Sequence, residues 1–159
     1  MEVEFDVKIT CGSLYDYLLH YTYTSLQGLV GAGAGALFLV EYFISRQFLF
    51  LACGLLILIY LPVSLYLRAK QQSLNPVFKQ PIHYRMTEEG VEISQGEEMQ
   101  THGWDVFYKA GSTMGSILLY TTKRNATIFP KRQLQEQDVL GKVMEMISTH
   151  MPPKKVNIR

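Results

Sequence analysis

Two long runs of apolar residues dominate the pattern of the chain, one over residues 26–44 and one over residues 48–67. The second run has twenty residues and no charged side chain, and a helix of that length spans about 30 Å, the thickness of a bilayer's hydrocarbon core. Only residues 45–47 separate the runs, so the pattern predicts an antiparallel pair of membrane helices whose flanks emerge on the same side. A buried helix pair in a soluble bundle is the alternative, but the second run lacks the polar face of such a helix.

The first ten residues alternate between apolar and polar side chains. The apolar positions are Val3, Phe5, Val7 and Ile9, and polar residues stand between them. A period of two predicts a β-strand with one buried face. Because a single strand is not stable alone, we expect it to join a sheet built from residues after 80. The membrane hairpin is then an insertion within one β-domain.

A short helix is expected between this strand and the first apolar run. Cys11 and Gly12 end the strand, and the hydroxyl of Ser13 is suited to cap the N-terminus of the helix. Four tyrosines follow, at positions 15, 17, 21 and 23. Tyrosines are frequent where a helix enters a membrane, so they predict an interfacial belt. An aromatic cage for a ligand is the alternative.

After the second apolar run the pattern changes to short alternating segments separated by turn residues. These segments predict an antiparallel meander of strands that ends near Pro130. Past Pro130 the apolar residues recur at steps of three and four, which predicts one amphipathic helix that covers the sheet and stops at Pro152. The apolar positions of this helix are Leu134, Val139, Leu140, Val143, Ile147 and Met151.

The predicted fold is therefore an α+β membrane protein, with a two-helix transmembrane hairpin inserted in a small antiparallel β-domain capped by a C-terminal helix. Five segments are expected: residues 1–25 as strand and short helix, 26–67 as hairpin, 68–81 as connector, 82–152 as β-domain with its helix, and 153–159 as a basic tail.

The charge distribution predicts the orientation of the hairpin. The net charge of the chain is +1, but Arg68, Lys70 and Lys79 follow the second apolar run, whereas Arg46 is the one cation at the hairpin tip. Cytoplasmic flanks carry the excess of Lys and Arg. We therefore expect a multi-pass protein of the cell membrane with both termini in the cytoplasm.

Small residues in the first apolar run predict close helix packing. Gly31 and Gly35 are four residues apart, so they share one helix face, and Gly54 in the second run is suited to lie opposite them. Packing within the hairpin is the favoured interpretation, and homodimerisation is the alternative. Glu41 is the one ionisable residue at membrane depth; we expect it to reach the interface or Arg46, with a role in an ion pathway as the alternative.

The sequence contains no recognisable catalytic or metal-binding motif. His20, His83, His102 and His150 are scattered, and the two cysteines, at positions 11 and 53, lack metal-site spacing. We therefore expect no cofactor, no metal, no enzymatic activity and no nucleic-acid partner. Trp104, the single tryptophan, is expected in the core of the β-domain, because large aromatic side chains dominate small cores.

Four cations after residue 120 form the candidate binding surface: Lys123, Arg124, Lys131 and Arg132. A basic surface close to an anionic leaflet gains about 1 kcal/mol per cation. The candidate partners are therefore the bilayer and its anionic headgroups, or a protein. A solvated turn followed by the start of a helix explains the same residues.

Three segments resemble the YcxB-like family of small bacterial membrane proteins, in their order and in their position after the hairpin. They are Tyr-Arg-Met-Thr-Glu-Glu-Gly-Val at 84–91, Gly-Trp-Asp-Val at 103–106 and Ile-Phe-Pro-Lys-Arg at 128–132. The resemblance implies a cytoplasmic β-domain of pleckstrin-homology type, with antiparallel strands and one C-terminal helix. It implies little about chemistry.

These observations predict a membrane-anchored cytoplasmic β-module that binds a protein segment or lipid headgroups and has no catalytic activity. An exposed strand edge that accepts a peptide strand needs no catalytic residues. A homo-oligomeric membrane scaffold or conducting component, packed through the glycine-rich first helix, is the alternative. An enzyme is a third possibility, in which the scattered histidines and acids converge in the fold.

Overall fold

The computed structural model describes residues 2–123 and 125–158. The eight strands are β1 (Val3–Val7), β2 (Ile82–Met86), β3 (Gly90–Gln95), β4 (Glu98–Gly103), β5 (Lys109–Ser112), β6 (Ser116–Tyr120), β7 (Ala126–Pro130) and β8 (Val156–Asn157). The five helices are α1 (Cys11–Thr24), α2 (Leu26–Ser45), α3 (Phe48–Ser73), α4 (Lys131–Glu136) and α5 (Leu140–His150). Three 3₁₀ turns lie at Pro76–Phe78, Trp104–Val106 and Pro153–Lys155. The chain is thus a mixed α+β protein with two long apolar helices.

The strands form two four-stranded sheets, in the orders β1-β2-β3-β4 and β7-β6-β5-β8. Every pairing is antiparallel except that of β8 with β5. The sheets share one core, in which the Phe129 ring makes edge-to-face contacts with Phe5 and Tyr84. Helix α5 contributes Val143 and Ile147 to this core, and both are fully buried.

The N-terminal strand pairs with a strand from beyond the hairpin. Val3 lies opposite Met86 and Val7 lies opposite Ile82, and the buried and exposed residues of β1 alternate as the sequence pattern predicts. Since β1 precedes the two apolar helices and β2 follows them, the hairpin is inserted between neighbouring strands of one sheet.

Two glutamines of the α4 segment cover the outer edge of β1. Gln137 accepts a hydrogen bond from the backbone N–H of Asp6 (2.9 Å) and donates one to the Asp6 carbonyl (2.7 Å). Gln133 does the same with Lys8, at 2.8 Å in both directions. Beside Asp6 and Lys8 the amide side chains thus take the place that a neighbouring strand would occupy, and this part of the edge is closed to further pairing.

Helix α1 begins with a capping box, but the cap differs from the one expected. The cap residue is Thr10, whose hydroxyl accepts a hydrogen bond from the N–H of Ser13, while the Ser13 hydroxyl accepts one from the N–H of Thr10. The helix also extends further than expected, to Thr24, because its apolar face packs on α3: the rings of Tyr15 and Tyr66 meet edge to face at 5.6 Å.

Helices α2 and α3 form the antiparallel hairpin, and each is long and apolar enough to cross a membrane. In both, only 11% of the most apolar stretch is buried within the protein, whereas a core helix of a soluble protein is mostly buried. The turn between the helices places Arg46 in the left-handed region, with φ 58°.

Helix α3 runs six residues past the predicted membrane segment, as far as Ser73, where a connector was expected. The reason lies in its packing: Ala69 is completely buried and belongs to the core of the β-domain, and Leu65, one turn earlier, is buried as well. The second apolar helix therefore continues directly into the core of the β-domain.

The C-terminal region differs from the single helix expected after Pro130. The chain forms two helices, α4 and α5, because Asp138 adopts a left-handed conformation with φ 55° and ends the first of them. Both keep the predicted apolar face, with Leu134 and Val143 fully buried. The predicted basic tail contains a short strand, β8, which pairs with β5 through Val156 and Asn157.

Candidate functional site

The cations of the predicted binding surface that the structure describes lie at different positions along the fold. Lys123 lies in the turn before β7 and Lys131 follows the end of β7, so the length of that strand separates them. Arg132 forms an ion pair with Glu136 one helical turn later (3.0 Å). Arg124 lies outside the described residues. Among the described cations, Lys123 and Lys131 therefore lie at opposite ends of β7.

Lys131 instead takes part in a polar junction between the β-domain and α1. Its Nζ donates to the carbonyl of Thr113 (2.8 Å) in the turn between β5 and β6, and the hydroxyl of Thr113 donates to the carboxylate of Asp16 on α1. This junction fastens the helix that leads into the hairpin to the β-domain. The sequence gives no indication of this junction, because Asp16 and Thr113 are 97 positions apart.

The glycines of the hairpin pack against the opposite helix. A side chain at Gly54 would meet the carbonyl oxygen of Gly35 at 3.0 Å, and one at Gly35 would meet Leu58 at 2.8 Å. Gly31 faces Leu61, while Gly33 has open space around it. These contacts occupy the faces of Gly35 and Gly54 within a single chain.

Glu41 is exposed on α2, in a shallow depression next to Phe38 and Phe50. The described part of the chain shows no ion pair between Glu41 and Arg46. The described residues also contain no group of three or more His, Cys, Asp or Glu side chains that could hold a metal ion.

Trp104 lies at the margin of the core, half-buried, rather than inside it. Its Nε1 donates a hydrogen bond to the carbonyl of Thr87 (3.0 Å), and its ring stacks on that of His150 at 5.1 Å. The ring of Phe107, which is fully buried, lies 6.0 Å away on the core side. Trp104 therefore joins the end of β4 to the end of α5.

Strand β4 lies at the end of the first sheet, and its outer edge, next to Trp104, is open. Glu98 to Thr101 are exposed, and His102 and Gly103 are half-buried. In the described part of the chain, no hydrogen bond from another segment reaches the main chain of β4 beyond its pairing with β3. Gly96, whose φ is 62°, lies in the two-residue turn that joins β3 to β4.

The register shows which main-chain groups face outward. Gln95 and Glu98 flank the two-residue turn, so they form a hydrogen-bonded pair, and such pairs alternate along an antiparallel ladder. The N–H groups of Met99 and Thr101 therefore point away from β3, towards solvent. An extended peptide can add there as a further strand.

The surroundings of this edge are acidic. Glu97 and Glu98 stand at one end of β4, and Glu92 lies opposite Thr101 on β3. Across the same sheet face, Arg85 contacts Glu92 (3.4 Å) and Glu2, and the hydrogen bond from Arg85 holds the pKa of the Glu2 carboxyl below its usual range. The apolar side chain beside these acids is Met99, which is 67% exposed.

Comparison with family models identifies part of this region. Residues 87–140 match the model of the YcxB-like protein family. The resemblance seen in the sequence is thereby confirmed for that segment, which runs from the end of β2 to the first residue of α5 and includes β4 and Trp104. A search of curated proteins and a search of solved structures each returned no match.

The YcxB-like segment contains the open edge of β4 together with Glu92 and Trp104, whereas Glu2 and Arg85 precede it and His150 follows it. Sequence reasoning identified the strand and the tryptophan but not their arrangement. In the sequence, the polar composition of β4 was the one indication of an open edge. Met99 is its one large apolar residue, and such a composition is typical of a strand that extends beyond the core.

Proposed function

We propose that this protein is a membrane-anchored β-module that binds an extended protein segment by strand addition at the outer edge of β4, without catalysis. The observation that carries the proposal is the contrast between the two edges of the first sheet. At Asp6 and Lys8 the edge of β1 is covered by Gln133 and Gln137, whereas the described residues leave the outward N–H groups of β4 open to solvent.

The anchoring follows from the hairpin. Two helices of sufficient length and low burial support two membrane crossings, with the cations after α3 favouring the cytoplasmic side for both termini. The likeness to a pleckstrin-homology domain is part of the same proposal, since two small sheets and the packed helix α5 are consistent with it.

The side chains around the outer edge of β4 determine which kind of peptide segment it would bind. Main-chain pairing supplies affinity without regard to sequence, and side-chain contacts supply selectivity. Acidic residues around β4 favour a basic segment, and the exposed side chain of Met99 favours an apolar residue opposite it. We therefore propose a basic, extended partner segment at the membrane surface.

Two other functions have less support from the structure. Lipid headgroup binding relied on four cations acting together, and the fold separates Lys123 from Lys131. Homo-oligomerisation through the first helix relied on a free glycine face, and Gly35 packs against α3 within the same chain.

Photo-crosslinking in cells tests the proposal. A benzophenone amino acid replaces Met99 in the full-length protein, and a second variant carries it at Lys142, which is exposed on α5. We expect a discrete protein adduct from position 99 that is absent from position 142. The additional substitution Thr101→Pro removes one outward N–H at a position where an edge strand tolerates proline, so it should abolish the adduct.

Adducts that form equally at positions 99 and 142, or that persist with Thr101→Pro, would contradict strand addition. Adducts with lipid rather than protein would indicate the headgroup function instead. Recovery of the protein in a fraction soluble without detergent would contradict the membrane anchor.

A further inference from the structure

A groove lies at the junction between α1, the end of α3 and the β-domain. One wall is a single face of α1, formed by Leu14, Tyr17, Leu18 and Tyr21, which recur at helical spacing. The opposite wall is the first part of β7, from Ala126 to Ile128. The volume of the groove is about 550 Å³, within the range of about 300–1,000 Å³ that is usual for small-molecule sites.

The interior of the groove is mainly apolar, and its polar side chains are those of Tyr17, Tyr21, Gln72, Tyr84, Asn125 and Thr127. Ile9, Ile82 and Ile128 line it and are buried. The polar groups include the hydroxyl of Tyr17, whose pKa is raised by burial, and the amide of Gln72. An apolar interior with a few hydroxyl and amide groups suits a hydrocarbon chain joined to an ester or a glycerol unit.

The groove reaches α3 at Gln72, which lines it. Gln72 lies on the same face of α3 as Leu65 and Ala69, and both of these residues are buried within the protein. Gln72 is five residues past the end of the apolar run, which corresponds to about 7.5 Å along the helix. Arg68 lies one turn before Gln72, where its charge suits a phosphate group.

We propose that this groove holds one acyl chain of a phospholipid drawn from the adjacent leaflet. The inference rests on the proposed membrane anchor, because only an anchored hairpin brings the groove within reach of the leaflet. The binding of this chain would fix α1 against the β-domain, since the groove has walls from both. The site is separate from the open edge of β4, none of whose residues lines it.

A photoreactive lipid tests the proposal in the full-length protein. The protein is reconstituted in nanodiscs that contain a phospholipid with a diazirine near the end of one acyl chain, and adducts are mapped by mass spectrometry after illumination. We expect adducts on the α1 face and on β7, in addition to those on the lipid-facing sides of α2 and α3. The substitution Ala126→Trp fills the groove, so it should reduce the adducts on the α1 face at least fivefold.

The matched control is Ala36→Trp, the same substitution at an exposed position of α2, which should leave adducts in the groove unchanged. Adducts confined to α2 and α3 would overturn the groove proposal while leaving the membrane anchor intact. An absence of adducts on both helices would refute the anchor itself. Groove adducts that form only with the free photoreactive fatty acid would show that the leaflet is not the source. The map of the unmodified protein decides the question even if Ala126→Trp does not fold.

Discussion

Gly54 lies at a close approach of the two apolar helices. A side chain there would lie 3.0 Å from the carbonyl oxygen of Gly35 and 2.9 Å from the side chain of Leu39. The substitution Gly54→Leu therefore forces the helices apart, and overpacking of this kind costs about 1–3 kcal/mol. We expect a lower free energy of unfolding for the hairpin, measured by titration with a denaturing detergent in mixed micelles.

Gly33 provides the control for that experiment, because a side chain there would meet nothing within 4 Å. Gly33→Leu should leave the hairpin as stable as the unmodified protein or slightly more stable, since leucine has the higher helix propensity. If the two substitutions had the same effect, the two helices would not pack through Gly54. If only Gly33→Leu changed the oligomeric state, the open face of α2 would mediate self-association.

Tyr120 makes the stability of the β-domain sensitive to alkaline pH. Its ring is buried, and burial raises its pKa to about 12, above the ordinary value near 10. The neutral hydroxyl therefore stabilises the folded state fully below pH 10, and this contribution is lost as the pH rises from about 10 to about 12. We expect alkaline unfolding in that interval, followed by circular dichroism and tyrosinate absorbance.

The substitution Tyr120→Phe should move the alkaline transition to higher pH, because the side chain no longer ionises in the unfolded state. Tyr108→Phe changes a tyrosine that is 49% exposed and should have little effect. An unchanged transition for Tyr120→Phe would show that another group controls alkaline unfolding.

Two glutamines of the α4 segment contribute to the stability of the β-domain by binding the main chain at the edge of β1. Four hydrogen bonds join Gln133 and Gln137 to the main chain of Asp6 and Lys8. Replacing both glutamines with alanine should reduce the free energy of unfolding by about 2–3 kcal/mol, the lower end of about 0.5–1.5 kcal/mol for each of the four bonds, because water replaces the lost partners. Denaturant titration measures this loss, and hydrogen exchange should accelerate at the amides of Asp6 and Lys8.

Gln135→Ala is the control, because Gln135 is exposed on the same helix and makes no contact with β1 among the described residues. The double variant should also associate at high concentration, since it presents a second open strand edge. A double variant as stable and as monomeric as the control would show that the glutamines are dispensable.

Elements with a strong sequence period were predictable, and those defined by distant contacts were not. The alternation before residue 10 and the lengths of the apolar runs indicated β1, α2 and α3, because each reflects the surroundings of its own residues. The break at Asp138 and the strand β8 left no comparable trace. Strand β8 depends on a segment far away in the sequence, through the pairing of Val156 with Ala110. The break at Asp138 is a local left-handed turn, in which the N–H of Asp138 donates to the carbonyl of Gln135.

In the molecule as a whole, the junction at Asp16 connects the hairpin to the β-domain. The carboxylate of Asp16 accepts the hydrogen bond of Thr113 in the turn between β5 and β6. Asp16→Ala should lower the free energy of unfolding by about 1–2 kcal/mol, since a hydrogen bond to a charged group contributes about 1.5–3 kcal/mol and this one is only partly buried. Hydrogen exchange in residues 112–116 should accelerate.

Two further variants make that experiment specific. Glu145→Ala removes an exposed carboxylate of α5 and should change neither quantity. In a double-mutant cycle, Thr113→Val should add little to Asp16→Ala, because each substitution removes the same hydrogen bond. Fully additive effects would mean that the two side chains do not interact in solution.

The candidate site was only partly visible in the sequence for a related reason. The sequence places Lys123 and Lys131 in one cluster of positive charges, although β7 lies between them in the fold. The edge of β4 is open because no other segment of the described chain covers it. The sequence of residues 98–103 alone does not determine this. Closure of the opposite edge by Gln133 and Gln137 is likewise a feature of the assembled fold.

The insertion of the hairpin between β1 and β2 has a consequence for biosynthesis. Val3 leaves the ribosome 83 residues before Met86, its partner in the sheet. At about 5–20 residues per second, that delay lasts roughly 4–17 s, and both apolar helices are translated within it. Strand β1 therefore stays without its partner until both apolar helices and β2 have been made, and only then can the sheet close.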